Sequence, residues 1–298
     1  MTIWPRSGGP RPLAYHVVDV FTERAYAGNP LAVVLDGDDL STQQCQAIAR
    51  EFNLSETTFP MATSTRADYR LRIFTPGAEL PFAGHPSVGT AWLMRSLGRV
   101  AGPRVVQDCL AGLLPLWLRT DGTVELTGGT PSVGPPVPAG DLLRAVGLDD
   151  GDAMPARSAR RAGTGSDFTY VCVRDEAVGR ARPGADLTAA LTPTGGHGLF
   201  LFSWNAGAVH ARMFAPGLGV GEDPATGSAA TGLGAWLAAE DLVDDGETAY
   251  VVEQGGEIGR PSTMYGTVVV ERGVAVECRV AGTVVAVASG TISVPDLP

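Results

Sequence analysis

Apolar positions along this chain follow two rhythms. Alternating or unbroken β-branched runs occupy residues 15–21, 31–35, 69–74, 104–107 and 113–118. They return at 170–174, 199–203, 208–214, 249–253, 266–271, 274–280 and 283–287. Such segments predict strands. Three segments carry helical spacing instead. Ser41–Phe52 opens on a capping serine. Residues 86–97 and 229–239 are built of Ala, Gly, Thr and Ser with few charges. A helix with no charged face predicts burial on all sides. Glycine weakens a helix, so its density there predicts a neighbour packed very close. A small helix running inside a closed sheet satisfies both conditions.

These two helices belong to an internal repeat. Arg72-Ile-Phe-Thr-Pro76 returns as Arg212-Met-Phe-Ala-Pro216. Each copy is followed by a loop containing glycine and acidic residues, then by the small-residue helix. Gly84 and Gly89 correspond to Gly227 and Gly232. The chain therefore reads as two copies of one β-rich fold, and a linker is expected in the Pro/Gly-rich stretch Thr127–Pro138. The expected organisation is a disordered leader over 1–12, an N-terminal domain over 13–130 and a second domain over 131–282.

Composition narrows the chemistry. At 298 residues with 44% hydrophobic and 18% charged positions, the chain can build one or two full cores. A net charge of −10 argues against nucleic acid or an anionic membrane as partner. All 22 basic residues are arginine. Without lysine there is no Schiff base for pyridoxal phosphate and no P-loop lysine. A Gly-x-Gly-x-x-Gly turn after a strand is missing too, which disfavours nicotinamide. No cofactor is therefore expected. Cys45, Cys109, Cys172 and Cys278 sit in apolar stretches without C-x-x-C pairing and are expected as buried free thiols in a reducing, cytoplasmic setting. No apolar core segment lies in Met1–Pro12, so no signal peptide is expected, and no run approaches a membrane span. His16, His85, His197 and His210 show no ligand spacing, so no metal is expected.

The candidate chemistry gathers at the two helix starts. Gly84-His85-Pro86 and Gly227-Ser228-Ala229 each open a buried helix, where unpaired N–H groups and a partial positive charge can seat an anion. If the halves face each other, both starts point into one cleft and can hold a carboxylate. The alternative is two ordinary buried helices. Glu56, in Asn53-Leu-Ser-Glu-Thr-Thr-Phe59, enters an apolar strand-like segment. It is either a surface carboxylate at a strand start or a buried general acid/base with a raised pKa. His85 sits where the helix start favours neutral imidazole, as proton donor and acceptor or as a satisfied core histidine. Asp223, five residues before Ser228, either orients a substrate amine or hydroxyl or caps its loop.

Several segments together resemble one known family. They are Asp19-Val-Phe-Thr22, Gly28-Asn-Pro-Leu-Ala-Val-Val34, Asn53–Phe59, Arg72–Pro76, Glu79-Leu-Pro-Phe-Ala-Gly-His-Pro86, Glu222-Asp-Pro-Ala-Thr-Gly-Ser-Ala229 and Glu253-Gln-Gly-Gly-Glu-Ile-Gly-Arg-Pro-Ser262. Taken in order, within a resemblance that spans residues 15–290, they resemble the PhzF-like phenazine-biosynthesis isomerases of the diaminopimelate-epimerase fold. The resemblance implies an α+β fold of two similar domains, each a β-barrel-like sheet around a central helix, with the site between them and a C-terminal strand at about 283–295 returning to the first domain. It implies a homodimer, and an isomerase in which a glutamate moves a proton within a small unsaturated cyclic amino or carboxylic acid. Glu56 matches that glutamate, and His85, Asp223 and Ser228 match other active-site positions. Epimerases of this fold carry a cysteine just before each helix-start glycine. Ala83 and Thr226 stand there here, which disfavours two-thiol racemisation. Dehydratase, epimerase or cyclisation chemistry, and a non-catalytic binding protein, remain as other readings of the same fold.

Overall fold

The computed structural model describes residues 12–218 and 220–297. All but the last residue of the expected leader lie outside that range; Pro12 already begins the first strand. The chain divides into two compact units. One comprises residues up to Tyr26, Pro30–Val124 and Val284 onward, and the other comprises Ala27–Asn29 and Glu125–Thr283.

In the first unit, β1 (Pro12–Val20), β2 (Asn29–Val34), β3 (Glu56–Met61), β4 (Tyr69–Phe74), β5 (Glu79–Leu80), β6 (Arg104–Cys109) and β7 (Gly112–Leu118) are joined by the C-terminal strand β18 (Val284–Ser293). β18 pairs antiparallel with β1, β2 runs parallel to β3, β3 antiparallel to β4, and β4 parallel to β6. Helix α1 (Thr42–Phe52) begins at Ser41, whose hydroxyl accepts from Gln44 N–H while the Gln44 side chain accepts from Ser41 N–H, a reciprocal capping box. It ends at Asn53 in the left-handed conformation. Its apolar stripe, Cys45, Ile48 and Ala49, packs on Phe59 and Phe74.

Helix α2 (Gly84–Ser96) lies against β1, β3, β6, β7 and β18 and is buried from Gly84 through Ala91. The sheet therefore wraps it, as the charge-free helix face predicts. Gly89 shows how close the approach is. A Cβ there would come within 2.7 Å of Val20 Cγ2 and 2.8 Å of Leu31 Cδ2.

The second unit repeats the arrangement with β8 (Val124–Thr127), β9 (Ser132–Val137), β10 (Ala159–Gly163), β11 (Asp167–Cys172), β12 (Leu199–Asn205), β13 (Ala208–Ala215), β14 (Val220–Asp223), β15 (Gly246–Gln254), β16 (Ser262–Glu271) and β17 (Val274–Gly282). Short helices α3 (Gly140–Ala145), α4 (Asp175–Val178) and α5 (Leu187–Leu191) build an apolar cluster with Val171, Leu199 and Leu201. Helix α6 (Gly227–Ala239) lies against β9, β10, β11, β16 and β17. At Gly232 a Cβ would meet Tyr170 Oη at 2.5 Å and Gly163 Cα at 3.0 Å. Tyr170 and Tyr250 donate to the carbonyls of Ala229 and Ala230, at 2.7 and 2.8 Å.

The repeat extends to a side-chain device that its sequence only half reveals. Arg72 stacks over Phe74 and pairs through two hydrogen bonds with Glu79. Arg212 stacks over Phe214 and pairs in the same way with Glu222. Each bidentate pair ties the Arg-x-Phe-x-Pro strand to the segment leading into a central helix.

One expectation fails. The stretch Thr127–Pro138 is not an open linker, since Ser132–Val137 forms a strand paired with β10 across a register shift. Pro135 and Pro136 mask it in the sequence because proline discourages a strand assignment.

Candidate active site

In the first unit the ending of α1 sets the position of Glu56. After the left-handed Asn53, the chain turns through Leu54 and Ser55 and enters β3 at Glu56, opposite Leu31 of β2. The carboxylate stands at the strand mouth, mostly but not wholly buried, with 16% of its side chain exposed. His85 is the second residue of α2, and its Nε2 lies 3.3 Å from Glu56 Oε2. The two atoms are near but not aligned as a hydrogen bond, and His85 Nε2 has no hydrogen-bond partner among the described residues. Burial pushes the His85 pKa down to about 3, so the imidazole is neutral at physiological pH. The Glu56 carboxyl group thus stands 3.3 Å from a neutral ring nitrogen.

The start of α2 is left open by its cap. Ala83 is extended and has no side-chain acceptor, so the first-turn N–H groups of Gly84 and His85 have no cap; Pro86 has no N–H to satisfy. A buried chain of polar groups holds this turn in place. Tyr69 donates to Gln107, Gln107 to Ser87, and Ser87 to the Ala83 carbonyl.

In the second unit Gly227, Ser228 and Ala229 form the first turn of α6. Thr226 stands at the cap position, yet its side chain makes no capping bond, because its hydroxyl donates to Asp223 instead. The N–H groups of this turn are therefore left as open as those of α2. Asp223 ends β14, and burial pushes its pKa up to about 6, against hydrogen bonds from Thr226 and Asn29 that pull it down.

The structure thus brings Glu56, His85, Gly84 and Pro86 together in the first unit, and Asp223, Gly227, Ser228 and Ala229 together in the second. It also supplies residues the sequence reading did not nominate: Asn29, Gln254, Ser87 and Gln107, all buried. The available signal was a polar residue inside an apolar run, as in Gly28-Asn-Pro-Leu-Ala-Val-Val34 and Ala249-Tyr-Val-Val-Glu-Gln254.

A separate cavity of about 780 Å³ in the second unit, beside Asp175, Ser203, Trp204 and His210, holds none of the nominated residues. Among the described residues no group of three His, Cys, Asp or Glu side chains is placed to hold a metal ion. None of the described helices is long and apolar enough to cross a membrane. All four cysteines are free and buried, and burial raises the thiols of Cys45, Cys172 and Cys278 to about 11, 12 and 12, which leaves them inert.

Comparison with known proteins places this chain in a family. The model of phenazine biosynthesis-like proteins, PhzC-PhzF, matches residues 18–290. An isomerase of uncharacterized activity from Mesorhizobium japonicum is 35% identical over 93% of this chain and 98% of its own. The trans-2,3-dihydro-3-hydroxyanthranilate isomerase of Pseudomonas aeruginosa is 37% identical over 84% of this chain and 88% of its own. Among solved structures, a PhzF-family phenazine biosynthesis protein from Bacillus anthracis superposes with a TM-score of 0.86 at 26% identity, covering 95% of this chain and 99% of its own. The chain belongs to the phenazine biosynthesis-like family and has its α+β epimerase-like fold. Within that family it is an isomerase.

Proposed function

We propose that the protein is a cofactor-independent isomerase. It moves a proton, and with it a double bond, within a small unsaturated cyclic amino or carboxylic acid, as a step in secondary-metabolite or antibiotic biosynthesis. The observation that carries this reading is the approach of the Glu56 carboxylate to a buried, neutral His85 at 3.3 Å on the open start of α2.

In this reading Glu56 accepts a proton from an acidified C–H and becomes a carboxylic acid, while the electron pair spreads into the conjugated system. The same proton then returns to a different carbon. Nothing is oxidised or reduced, and the carboxylate is regenerated, so no external reagent is consumed. His85, neutral beside Glu56, orients the carboxyl. The open start of α2, with Gly84 and Pro86, and that of α6, with Gly227, Ser228 and Ala229, are each suited to seat a carboxylate. Asp223 accepts from a substrate amine or hydroxyl. The absence of lysine supports independence from pyridoxal phosphate. Free buried thiols support a cytoplasmic setting. The exposed apolar side chains of Leu110, Leu113 and Trp117 on the β6–β7 hairpin support the homodimer, as surface that a second copy would cover.

The test is proton exchange. The protein is incubated in D2O with trans-2,3-dihydro-3-hydroxyanthranilate and a panel of cyclic unsaturated amino acids, and C–H loss is followed by NMR. Isomerisation or exchange is expected, and Glu56→Gln should lower it by at least about 100-fold while the fold stays intact, since general acid/base groups contribute on that scale. Near-full activity in Glu56→Gln would sink the assignment.

A further inference from the structure

Asn29 is the most completely buried polar side chain in the neighbourhood of Asp223, and the reading of the reaction gives it no task. We propose that Asn29 is a positioning residue that, together with Thr226, braces Asp223 with one donor on each carboxylate oxygen and so fixes the direction in which that carboxylate accepts. The proposal rests on the reading of Asp223 as the acceptor for a substrate N–H or O–H.

The direction of every bond follows from its partners. Asn29 Nδ2 reaches Asp223 Oδ1 at 2.9 Å and the Ala225 carbonyl at 2.8 Å. Both targets only accept, so the nitrogen of the amide faces them and both its hydrogens are used. Gln254 Nε2 donates to the Asp223 carbonyl at 2.7 Å and to Thr226 Oγ1 at 3.1 Å, while its oxygen accepts from Thr226 N–H at 3.3 Å. Thr226 Oγ1 already accepts from Gln254, so its single proton goes to Asp223 Oδ2. The hydroxyl cannot turn to cap α6, and the carboxylate cannot rotate without breaking a bond at each oxygen.

Asn29 is itself clamped. Arg260 donates to the carbonyls of Gly28 and Ala27, each at 2.7 Å, and Gly28 N–H donates to the Pro261 carbonyl at 3.1 Å. This is why residues 27–29 belong to the second unit although the chain on either side belongs to the first.

A buried amide that served packing alone would be replaceable by leucine, whose shape is close and whose burial carries no polar cost. The brace makes a different demand. Burial favours the protonated form of Asp223, and the two donors oppose it, leaving the carboxyl at about 6. The other titratable groups on the surrounding strands are His210 and Arg212 of β13, Glu222 of β14, and Glu247, Tyr250 and Glu253 of β15; Arg212 and Glu222 pair with each other, and Arg260 binds the 27–28 carbonyls. Removing either donor therefore lets burial carry Asp223 through neutrality, turning an acceptor into a donor at working pH.

The test follows the carboxyl of Asp223 directly, by 13C NMR of protein labelled at aspartate, its signal identified by loss in Asp223→Asn. The wild-type midpoint is expected near 6. Asn29→Leu and Thr226→Val should each raise it by about one to two pH units, the size of a hydrogen bond to a charged group. Thr226→Ser, which keeps the donor, should restore the wild-type midpoint. If Asn29→Leu does not fold, the threonine pair decides alone. A midpoint that moves in neither folded variant overturns the proposal. The titration needs no substrate, so a failure of deuterium exchange would refute the reaction and leave this result standing.

Discussion

His85→Gln removes a buried neutral imidazole, and the consequence for acid stability follows from the structure. In the unfolded chain the histidine takes up a proton near its ordinary pKa of about 6.5. In the folded chain burial holds it at about 3. Between those values the unfolded state binds the extra proton, so stability is complete above 6.5 and falls as the pH drops toward 3. From about pH 8 to about pH 5 the loss attributable to His85 is about 2 kcal/mol. Asp223 acts in the opposite sense. Its folded pKa is raised from 3.8 to about 6, so its contribution is present below 3.8 and is lost as the pH rises through 6. Over the same fall in pH it returns about 1 kcal/mol. The wild type alone would therefore show a shallow slope, and the informative quantity is the difference between wild type and His85→Gln. Urea unfolding at several pH values, followed by circular dichroism, should show the wild type losing about 2 kcal/mol more than the variant between pH 8 and pH 5. Parallel stability curves, or a His85 imidazole proton resonance that titrates near 6.5, would refute the argument that Glu56 faces an uncharged ring.

Two further substitutions test the frame around the site. Gly232→Ala gains about 1 kcal/mol in helix propensity but drives a methyl into Tyr170 Oη and the Gly163 backbone, so a net loss of about 1–3 kcal/mol is expected in urea unfolding; a variant as stable as wild type would show that α6 is not tightly enclosed. Arg212→Met leaves the half-buried Glu222 carboxylate without its partner and the carbonyls of Val178 and Ala181 without their donor, a cost of about 3–5 kcal/mol, whereas the double change Arg212→Met with Glu222→Met should recover most of it. A double variant no better than the single one would place the loss in the carbonyls rather than the charge.

Much of this frame could be read along the chain. Residues 69–74 form a strand with the expected bounds, and Ser41 caps the expected helix. The small-residue helices are buried as their lack of charge requires, and begin two residues earlier than their apolar pattern, at Gly84 and Gly227. β9 and β10 were not legible. Pro135 and Pro136 interrupt one, and arginines at 160 and 161 interrupt the other, so neither shows the alternation that marks a strand. Their pairing with each other and the packing of both on α6 override that local signal.

The sequence by itself determined which groups are available: a lysine-free chain, two glycine-opened helices, and a few titratable side chains placed beside them in the order of one family. Local chemistry is written in residue type and spacing, so it survives without coordinates. Only the tertiary structure decided what those groups are. Burial made His85 neutral, and a hydroxyl diverted from its cap opened the start of α6. An amide 194 residues away in the chain became a hydrogen-bond partner of Asp223. Protonation and direction depend on desolvation and on partners distant in sequence, and those exist only once the chain has folded.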